Sequence, residues 1–234
     1  MTSLRCRASV LMTVVLFTGF ATQVHGADRG VAFLAGTAAR TPSYTAGVVV
    51  ALPGALLGNG LAVGAVVSRS EYTSSTGTGA TVTGRSNSVT MSARFQSSGT
   101  WGYANVGAGG AYHHTRLRPD DPSNPNRGSR GTAVVGGDGV LNLGQPWQLG
   151  AQGDYRFSID EYYSQADLTR AVWRTVRLGI EGVAQGDPTY KRRQYGAVVS
   201  YSPAPPWGLR LSGGERVEKT QSGAYGALSI SYVF

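Results

Sequence analysis

The sequence predicts an all-β protein, a transmembrane antiparallel β-barrel of about 12 strands that follows a cleaved signal peptide. Three observations support this prediction: an export signal at the start of the chain, two-faced segments along the rest of it, and an aromatic residue at its end. Segments of roughly ten residues that alternate apolar and polar side chains are typical of strands that cross a lipid bilayer.

The first residues have the composition of an export signal. Arg5 and Arg7 precede an apolar run over residues 8–20. This run is shorter than the roughly 20 residues that a spanning helix needs, so a helical membrane anchor is the weaker interpretation. We therefore predict a signal peptide over residues 1–26 and an outer-membrane β-barrel over residues 27–234.

The composition excludes several classes of site. The only cysteine, Cys6, lies in the predicted signal, so we expect no disulfide, thiolate metal site or cysteine nucleophile in the mature chain. Lys and Arg (21) outnumber Asp and Glu (13), but the basic residues are scattered along the chain. A nucleic-acid interface needs a clustered basic face with aromatic platforms, so we predict no nucleic-acid partner.

Two-faced segments recur throughout the mature chain. The clearest covers residues 147–159, where apolar residues alternate with polar residues that include Gln152, Asp154 and Arg156. The segments number about twelve, and single-chain bacterial barrels have an even number of strands. The predicted strands are 30–39, 43–53, 60–71, 86–97, 101–115, 130–143, 147–159, 162–173, 175–186, 190–202, 207–216 and 223–234.

Two connections are predicted to be long. They are the Ser/Thr/Gly-rich stretch 72–85 and the Pro/Asp/Asn-rich stretch 117–130, which follow the third and fifth predicted strands. With a periplasmic N-terminus both are extracellular, where barrel loops are longer. Oxygen atoms in the second stretch could hold Ca²⁺, but its prolines favour a stiff, turn-rich loop, and we predict no metal and no cofactor. The polar candidates of this extracellular loop are Asp120, Asp121, Asn124 and Arg127.

The last predicted strand carries the most specific pattern. Leu228, Ile230, Tyr232 and Phe234 alternate with small or polar residues up to the end of the chain. An aromatic terminal residue of this kind is typical of the strand that the outer-membrane barrel assembly machinery recognises, so Tyr232 and Phe234 are the predicted assembly signal. A soluble β-sandwich is the weaker alternative because it would not need so many long two-faced strands.

The polar faces of the strands predict a charged lumen. Charges that face lipid are costly, so these side chains are expected to point inward, away from the outer-membrane lipid. Their mixed signs predict an ion-pair network that either plugs a narrow barrel or lines a pore, and both interpretations remain open. The candidates are Arg69, Glu71, Arg94, Asp138, Asn142, Gln152, Asp154, Arg156, Arg177, Glu181 and Arg210.

No catalytic residue is predicted, and the chain is expected not to be an enzyme. His113 and His114 are adjacent in a strand, so only one of them can face the lumen, and a plain role at the extracellular rim is favoured. Asp154 and Glu181 could form an acid/base pair, but a salt-bridged lumen is the favoured interpretation. A histidine-based, lipid-modifying enzyme and a general porin for small solutes remain the alternatives.

Three segments resemble a known family. TRLRPDDPSNPNRGSRG, RLGIEGVAQGDPTYKRRQYGAVVSY and YTAGVVVALPGALLGNG are similar to the BcsS-type cellulose-biosynthesis outer-membrane proteins. The resemblance implies an accessory role in bacterial cellulose production, with polysaccharide and cellulose synthase components as partners. It carries no catalytic residue onto this chain.

Overall fold

The computed structural model describes residues 28–40, 42–75, 81–122, 127–188, 191–218 and 222–234. The predicted signal peptide and Asn124 lie outside these residues. The described chain forms one closed antiparallel barrel in which each strand pairs with its neighbours in sequence and the last strand pairs with the first. The strands are β1 (Gly30–Ala38), β2 (Ser43–Ala51), β3 (Gly60–Ser75), β4 (Thr81–Gly99), β5 (Gly102–Arg118), β6 (Gly128–Asn142), β7 (Trp147–Arg156), β8 (Glu161–Ala171), β9 (Val176–Gly186), β10 (Lys191–Tyr201), β11 (Trp207–Glu218) and β12 (Ser222–Val233).

The distribution of side chains is the inverse of that in a soluble protein. Met91 and Ile180 are each 66% exposed on the outer surface, whereas Arg192 is 1% exposed inside the barrel. Water would disfavour such an arrangement, but lipid solvates the apolar outer face. Closure also pairs the backbone groups of every strand, which an open sheet edge in hydrocarbon could not do. The predicted twelve-stranded barrel is therefore confirmed.

The seam between β1 and β12 closes the barrel. Val31 pairs with Val233, and the two strands continue in antiparallel register to Ala38 and Gly226. The amide of Phe234 donates to the carbonyl of Gly30 at 2.9 Å, and the amide of Gly30 donates back at 2.8 Å. We call the end of the barrel that carries this seam's chain termini the terminal end, and the opposite end the loop end.

The strands differ in length around the barrel. The strands β3 to β6 have 15–19 residues, whereas β7 to β12 have 10–12. A strand that crosses a bilayer needs about 9–11 residues. The first group is therefore long enough to continue past the bilayer, and its extra residues lie towards the loop end.

Two predicted boundaries are corrected. The stretch 72–85 is mostly strand rather than loop, because β3 continues to Ser75 and β4 begins at Thr81, and Ser and Thr residues support this pairing. The predicted strand 147–159 ends early, at Arg156. A 3₁₀ turn over Phe157–Ile159 follows, with Asp160 in the left-handed conformation (φ 47°). The amide of Ser158 in this turn donates to the Thr132 hydroxyl and leaves the ladder.

The connection between β2 and β3 is longer than expected for the terminal end. Residues 52–59 fold against the barrel, and Leu57 packs into a cluster with Val49, Ala62 and Val233. The amide of Gly58 donates to the Gln96 side chain inside this end. The apolar contacts explain why these residues are not a short open turn.

The four tryptophans of the chain form one belt. They are all exposed, and each lies at a turn or strand start of the terminal end: Trp101, Trp147, Trp173 and Trp207. Such aromatic residues favour the interface between lipid and water. Tyr195 also faces outward, but Tyr103 does not, because the alternation of β5 places it on the inner face with Asn105. The described residues contain no helix that is long and apolar enough to cross a membrane.

Candidate functional site: the polar lumen

Eight of the eleven predicted lumen residues lie on the inner face of the barrel. They are Arg94, Asp138, Gln152, Asp154, Arg156, Arg177, Glu181 and Arg210. Asn142 is exposed at the terminal end, where it donates to the carbonyl of Thr100. Arg69 and Glu71 face outward instead, because β3 directs Ser68 and Ser70 inward, where Ser68 bonds Ser88 at 2.6 Å. Glu71 accepts a hydrogen bond from Arg85 at 2.8 Å on the outer surface.

Glu181 is the centre of the largest polar cluster. Its carboxylate accepts hydrogen bonds from the Tyr225 hydroxyl at 2.7 Å, from Arg210 at 2.8 Å and from Gln165 at 3.0 Å. Arg210 also reaches Asp167 at 3.2 Å. These side chains come from β8, β9, β11 and β12, so one network joins four strands. Charge-assisted hydrogen bonds of this kind are the strong ones in proteins.

Two glycines allow this cluster to form. The strand register aligns Tyr225 with Gly214, Gly214 with Gly196, and Gly196 with Glu181. The tyrosine ring therefore passes over two positions that lack a side chain. A Cβ atom at Gly196 would collide with the Tyr225 hydroxyl. The absence of a side chain at Gly196 is thus a condition for the bond between Tyr225 and Glu181.

The network continues towards β7 through neutral groups. The Tyr163 hydroxyl and the Gln152 amide both donate to the Gln165 side-chain oxygen, each at 2.6 Å. Further along β7, Asp154 lies 3.6 Å from Arg156, which contacts Glu161 at 3.0 Å. The inner faces of β7 to β11 therefore carry an almost continuous set of long polar side chains, which we call the charged wall.

A second ion pair lies on the opposite side. Arg94 of β4 contacts Asp138 of β6 at 3.1 Å, and Asn105 of β5 donates to the same carboxylate at 2.9 Å. The Arg94 side chain passes over Gly107. A Cβ atom at Gly107 would lie 2.9 Å from the Cγ atom of Arg94. Arg177, near the terminal end, donates to Thr169 and to the carbonyl of Pro146.

Apart from that ion pair, β3 to β6 present mainly small side chains to the lumen. We call this surface the small-residue wall. Its members are Ala62, Gly64, Val66, Ser68, Ser86, Ser88, Thr90, Ser92, Gly107, Gly109, Ala111 and Thr132. Long side chains of the charged wall face this surface across the lumen, and Tyr72 of β3 is close enough to Asp187 of β9 to interact with its charge.

An open-mouthed cavity lies between the two walls at the loop end. Hydroxyl groups of the small-residue wall and the Asp154, Arg156 and Glu161 side chains of the opposite side line it. Asp154 also borders a smaller cavity deeper in the barrel, together with Gln152.

The catalytic alternatives gain no support from the geometry. His114 contacts Ser129 through Nδ1 at 2.8 Å, while Arg116 donates to its Nε2. Because an acceptor Nε2 leaves the proton on Nδ1, His114 donates to Ser129 and does not act as its base. His113 is buried on the inner face. Asp154 aligns with Gln185, four residues along β9 from Glu181, or roughly 13 Å, which is too far for an acid/base pair.

The predicted extracellular loop is closed by an ion pair. Arg127 donates to both carboxylate oxygens of Asp120, at 2.7 and 2.8 Å, and this contact lowers the pKa of Asp120. Both side chains are exposed, and Asp121 is partly exposed. With both Asp120 oxygens engaged, the loop is poorly suited to Ca²⁺, and the described residues hold no cluster of metal-ligating side chains.

The predicted assembly residues lie at the seam. Tyr232 faces outward, where its ring centroid lies 4.8 Å from that of Trp207 and 6.5 Å from that of Phe234. The Phe234 ring covers Gly30, because a Cβ atom there would lie 2.6 Å from it. The aromatic terminus therefore packs against the first strand as well as ending the last.

Sequence reasoning missed most partners of Glu181. Tyr163, Gln165, Asp167 and Thr169 occupy alternate positions of β8, and this alternation was visible in the sequence. Tyr225 carries no such signal, because it is one tyrosine among small residues at the start of β12.

The comparisons with known proteins agree with this architecture. A family model described as cellulose biosynthesis protein BcsS matches residues 31–234. The transport unit of the autotransporter AIDA-I from Escherichia coli has a TM-score of 0.55 and 10% identity, over 93% of this chain and 94% of that one. No curated protein matches the chain.

Two channels of the outer membrane are also similar. The COG4313 outer membrane channel from Pseudomonas putida F1 has a TM-score of 0.54 and 11% identity, over 94% of this chain and all of that one (100%). The KdgM porin in complex with disordered oligogalacturonate has a TM-score of 0.52 and 9% identity, over 87% and 99% of the two chains. Identities this low show a shared fold only. Fold and family match together place this barrel in the outer membrane.

Proposed function

The chain belongs to the family of cellulose biosynthesis protein BcsS, and from this membership we propose that it assists the production or secretion of bacterial cellulose without catalysing a reaction. The observation that carries the proposal is that the family match covers almost the whole barrel, from residue 31 to residue 234. The match therefore spans all twelve strands rather than one motif.

The lumen supports an accessory role better than that of a wide conduit. Side chains of the charged wall extend into the interior and bond one another, with Arg210 linking Glu181 and Asp167. Removing such bonds to clear a passage would leave buried charges without partners, which is costly. The accessible space is instead the cavity at the loop end.

The proposed orientation follows from the connections. Bacterial barrels have short periplasmic turns, so the terminal end with its tryptophan belt faces the periplasm and the loop end faces outside. Cellulose synthase components are then the proposed partners of the terminal end, and polysaccharide is the proposed partner of the loop end. Outer-membrane lipid and the barrel assembly machinery are the other proposed partners.

A non-catalytic role is supported by the side-chain geometry. His114 donates to Ser129 rather than accepting its proton. Asp154 and Glu181 each have an arginine neighbour, at 3.6 and 2.8 Å. These groups act as structural charges in this proposal.

A general porin for small solutes is the second candidate. The open mouth of the loop-end cavity favours it. It predicts steady ion conductance of the purified barrel in planar bilayers and unchanged cellulose in a strain that lacks the protein. The accessory role predicts little conductance and altered cellulose.

The deciding experiment is deletion of this chain in a cellulose-producing strain, with cellulose-specific dye binding and secreted glucan yield as the measurements. We expect both to fall and to be restored by the intact chain. A chain without Phe234 serves as the assembly control, because it loses the ring over Gly30 and the final seam bonds. Unchanged dye binding and yield after deletion would reject the accessory role.

A further inference from the structure

The loop-end cavity contains buried polar atoms that protein groups do not satisfy. Among the described residues, Oδ1 of Asp154 and Nδ1 of His113 have no hydrogen-bond partner, although the Asp154 side chain is only 8% exposed and His113 is 4% exposed. Both residues line the cavity. A buried polar atom without a partner costs about 1–3 kcal/mol, so such atoms are usually satisfied by water or by a ligand.

A third atom of this kind lies beside them. The side-chain oxygen of Gln152 has no partner among the described residues and borders the adjoining cavity, which shares Asp154 with the first. Asp154 and Gln152 both offer hydrogen-bond acceptors, so a ligand that satisfies them must carry donors. Hydroxyl groups meet this requirement.

The charges of the cavity disfavour one class of ligand. Apart from the outward-facing Glu71, three carboxylates line it, against two guanidinium groups, those of Arg156 and Arg192. An acidic polymer would meet repulsion from the excess carboxylates, and a neutral molecule would not. The three are Asp154, Glu161 and Asp187.

The remaining lining suits sugar rings. Tyr72 and Tyr163 supply flat aromatic surface, and Ser88 and Thr115 supply hydroxyl groups that both donate and accept. Sites that orient small polar molecules combine aromatic surface with a few fixed polar groups in this manner.

We propose that the loop-end cavity binds a segment of a neutral, hydroxyl-rich glucan, with Asp154 and Gln152 accepting hydrogen bonds from its hydroxyl groups and His113 adding a further contact. This site rests on the proposed role in cellulose production, for which it names the ligand class. The segment enters from the open mouth at the loop end.

The test is isothermal titration calorimetry of the full barrel in detergent with cellohexaose, and with a hexameric oligogalacturonate as the anionic sugar of equal length. We expect cellohexaose to bind and the acidic hexamer to bind at least ten-fold more weakly. No heat from cellohexaose would mean that the cavity holds water only and would overturn the proposal, as would equal binding of both sugars.

Two variants locate the site. Asp154→Asn replaces a carboxylate oxygen with an amide of similar shape, and His113→Leu removes a nitrogen that has no hydrogen-bond partner among the described residues. We expect each to weaken cellohexaose binding about ten-fold or more, which is about 1.4 kcal/mol. Asp120→Asn, the same substitution on the exposed loop, should bind as the unaltered chain does. Unaltered binding by both cavity variants would reject the site.

The outcome is separable from that of the deletion experiment. Glucan binding with unchanged cellulose after deletion would reject the accessory role and leave the site intact. Loss of cellulose after deletion without glucan binding would reject only the site. Heat-induced mobility shifts on gels verify that each variant is a folded barrel.

Discussion

The charged wall and the small-residue wall follow the same alternation of inward and outward residues, yet the first fills the lumen and the second leaves it open. On β7 to β11, long side chains such as Arg210 and Glu181 reach one another and fill the interior. On β3 to β6, small residues such as Ser88 and Gly109 leave space. The period of a strand thus decides which residues face inward, and side-chain length decides whether the lumen is filled or open.

Strand length divides the barrel in the same way. The small-residue wall belongs to the strands of 15–19 residues, whereas the charged wall belongs to strands of 10–12. The long strands carry hydroxyl-bearing residues towards the loop end, where they face Asp154 and Glu161. The cavity exists because the two kinds of wall meet there.

Removing the central arginine of the charged wall should have the largest effect. Arg210→Met leaves Asp167 and Glu181 in the lumen without their shared guanidinium group, and we expect the free energy of unfolding to fall by about 3–5 kcal/mol. Urea titration of the barrel in lipid vesicles, followed by tryptophan fluorescence, measures the change.

Arg94→Met is the matched substitution on the other wall. It should cost less, because it leaves one carboxylate without its guanidinium partner rather than two, and Asp138 keeps the hydrogen bond from Asn105 at 2.9 Å. An equal loss of unfolding free energy in the two variants would show that the two walls do not differ in how their buried carboxylates are compensated.

A side chain at Gly196 should have an intermediate effect. Gly196→Val displaces the Tyr225 hydroxyl from Glu181, and overpacking of this kind costs about 1–3 kcal/mol. Gly182→Val is the control, since a Cβ atom there meets nothing within 4 Å. In the same titration, the double variant Gly196→Val with Tyr225→Phe should lose less unfolding free energy than the sum of the two single variants. The reason is that both changes remove the same contact, that between Tyr225 and Glu181. Full additivity would contradict the proposed geometry.

Acidification should loosen the exposed loop at the end of the long strands, and this is the smallest of the expected effects. The pKa of Asp120 is lowered by Arg127 below its ordinary value of 3.8, so the ion pair is fully formed above that value and is lost as the pH falls through the lowered pKa. A spin label on Pro122→Cys should become more mobile only at such acidic pH.

The same label tests the cause of that change. With Asp120→Asn the label should be mobile at neutral pH as well, because the bidentate contact to Arg127 is already lost. Once the predicted signal is removed, the introduced cysteine is the only labelling site, because Cys6 is the only cysteine of the unaltered sequence. A label that stays rigid in the variant would show that the prolines alone hold the loop.

The sequence predicted the barrel well where strands have a strong apolar face. Gln152, Asp154 and Arg156 alternate with apolar residues, and the structure places them inside. The prediction failed for Arg69 and Glu71, because β3 continues into a Ser/Thr-rich stretch in which either face could be the apolar one. A slip of one residue exchanges the two faces of a strand.

The partners of the lumen residues were beyond sequence reasoning. Tyr225 and Glu181 are 44 residues apart and meet only because the registers of three strand pairs align them across Gly214 and Gly196. No local pattern encodes a register between strands. The early end of β7 likewise depends on Thr132 of the neighbouring strand, which bonds Ser158.

The sequence alone determined the closed barrel, its even strand number and most of the inward charges, because two-residue periodicity and the cost of charge in lipid are properties of single strands. Only the tertiary structure decided which charges pair, where the long strands extend past the bilayer, and that a cavity opens between the two walls. Those features depend on register and on side chains from strands far apart in sequence, which meet only when the barrel closes.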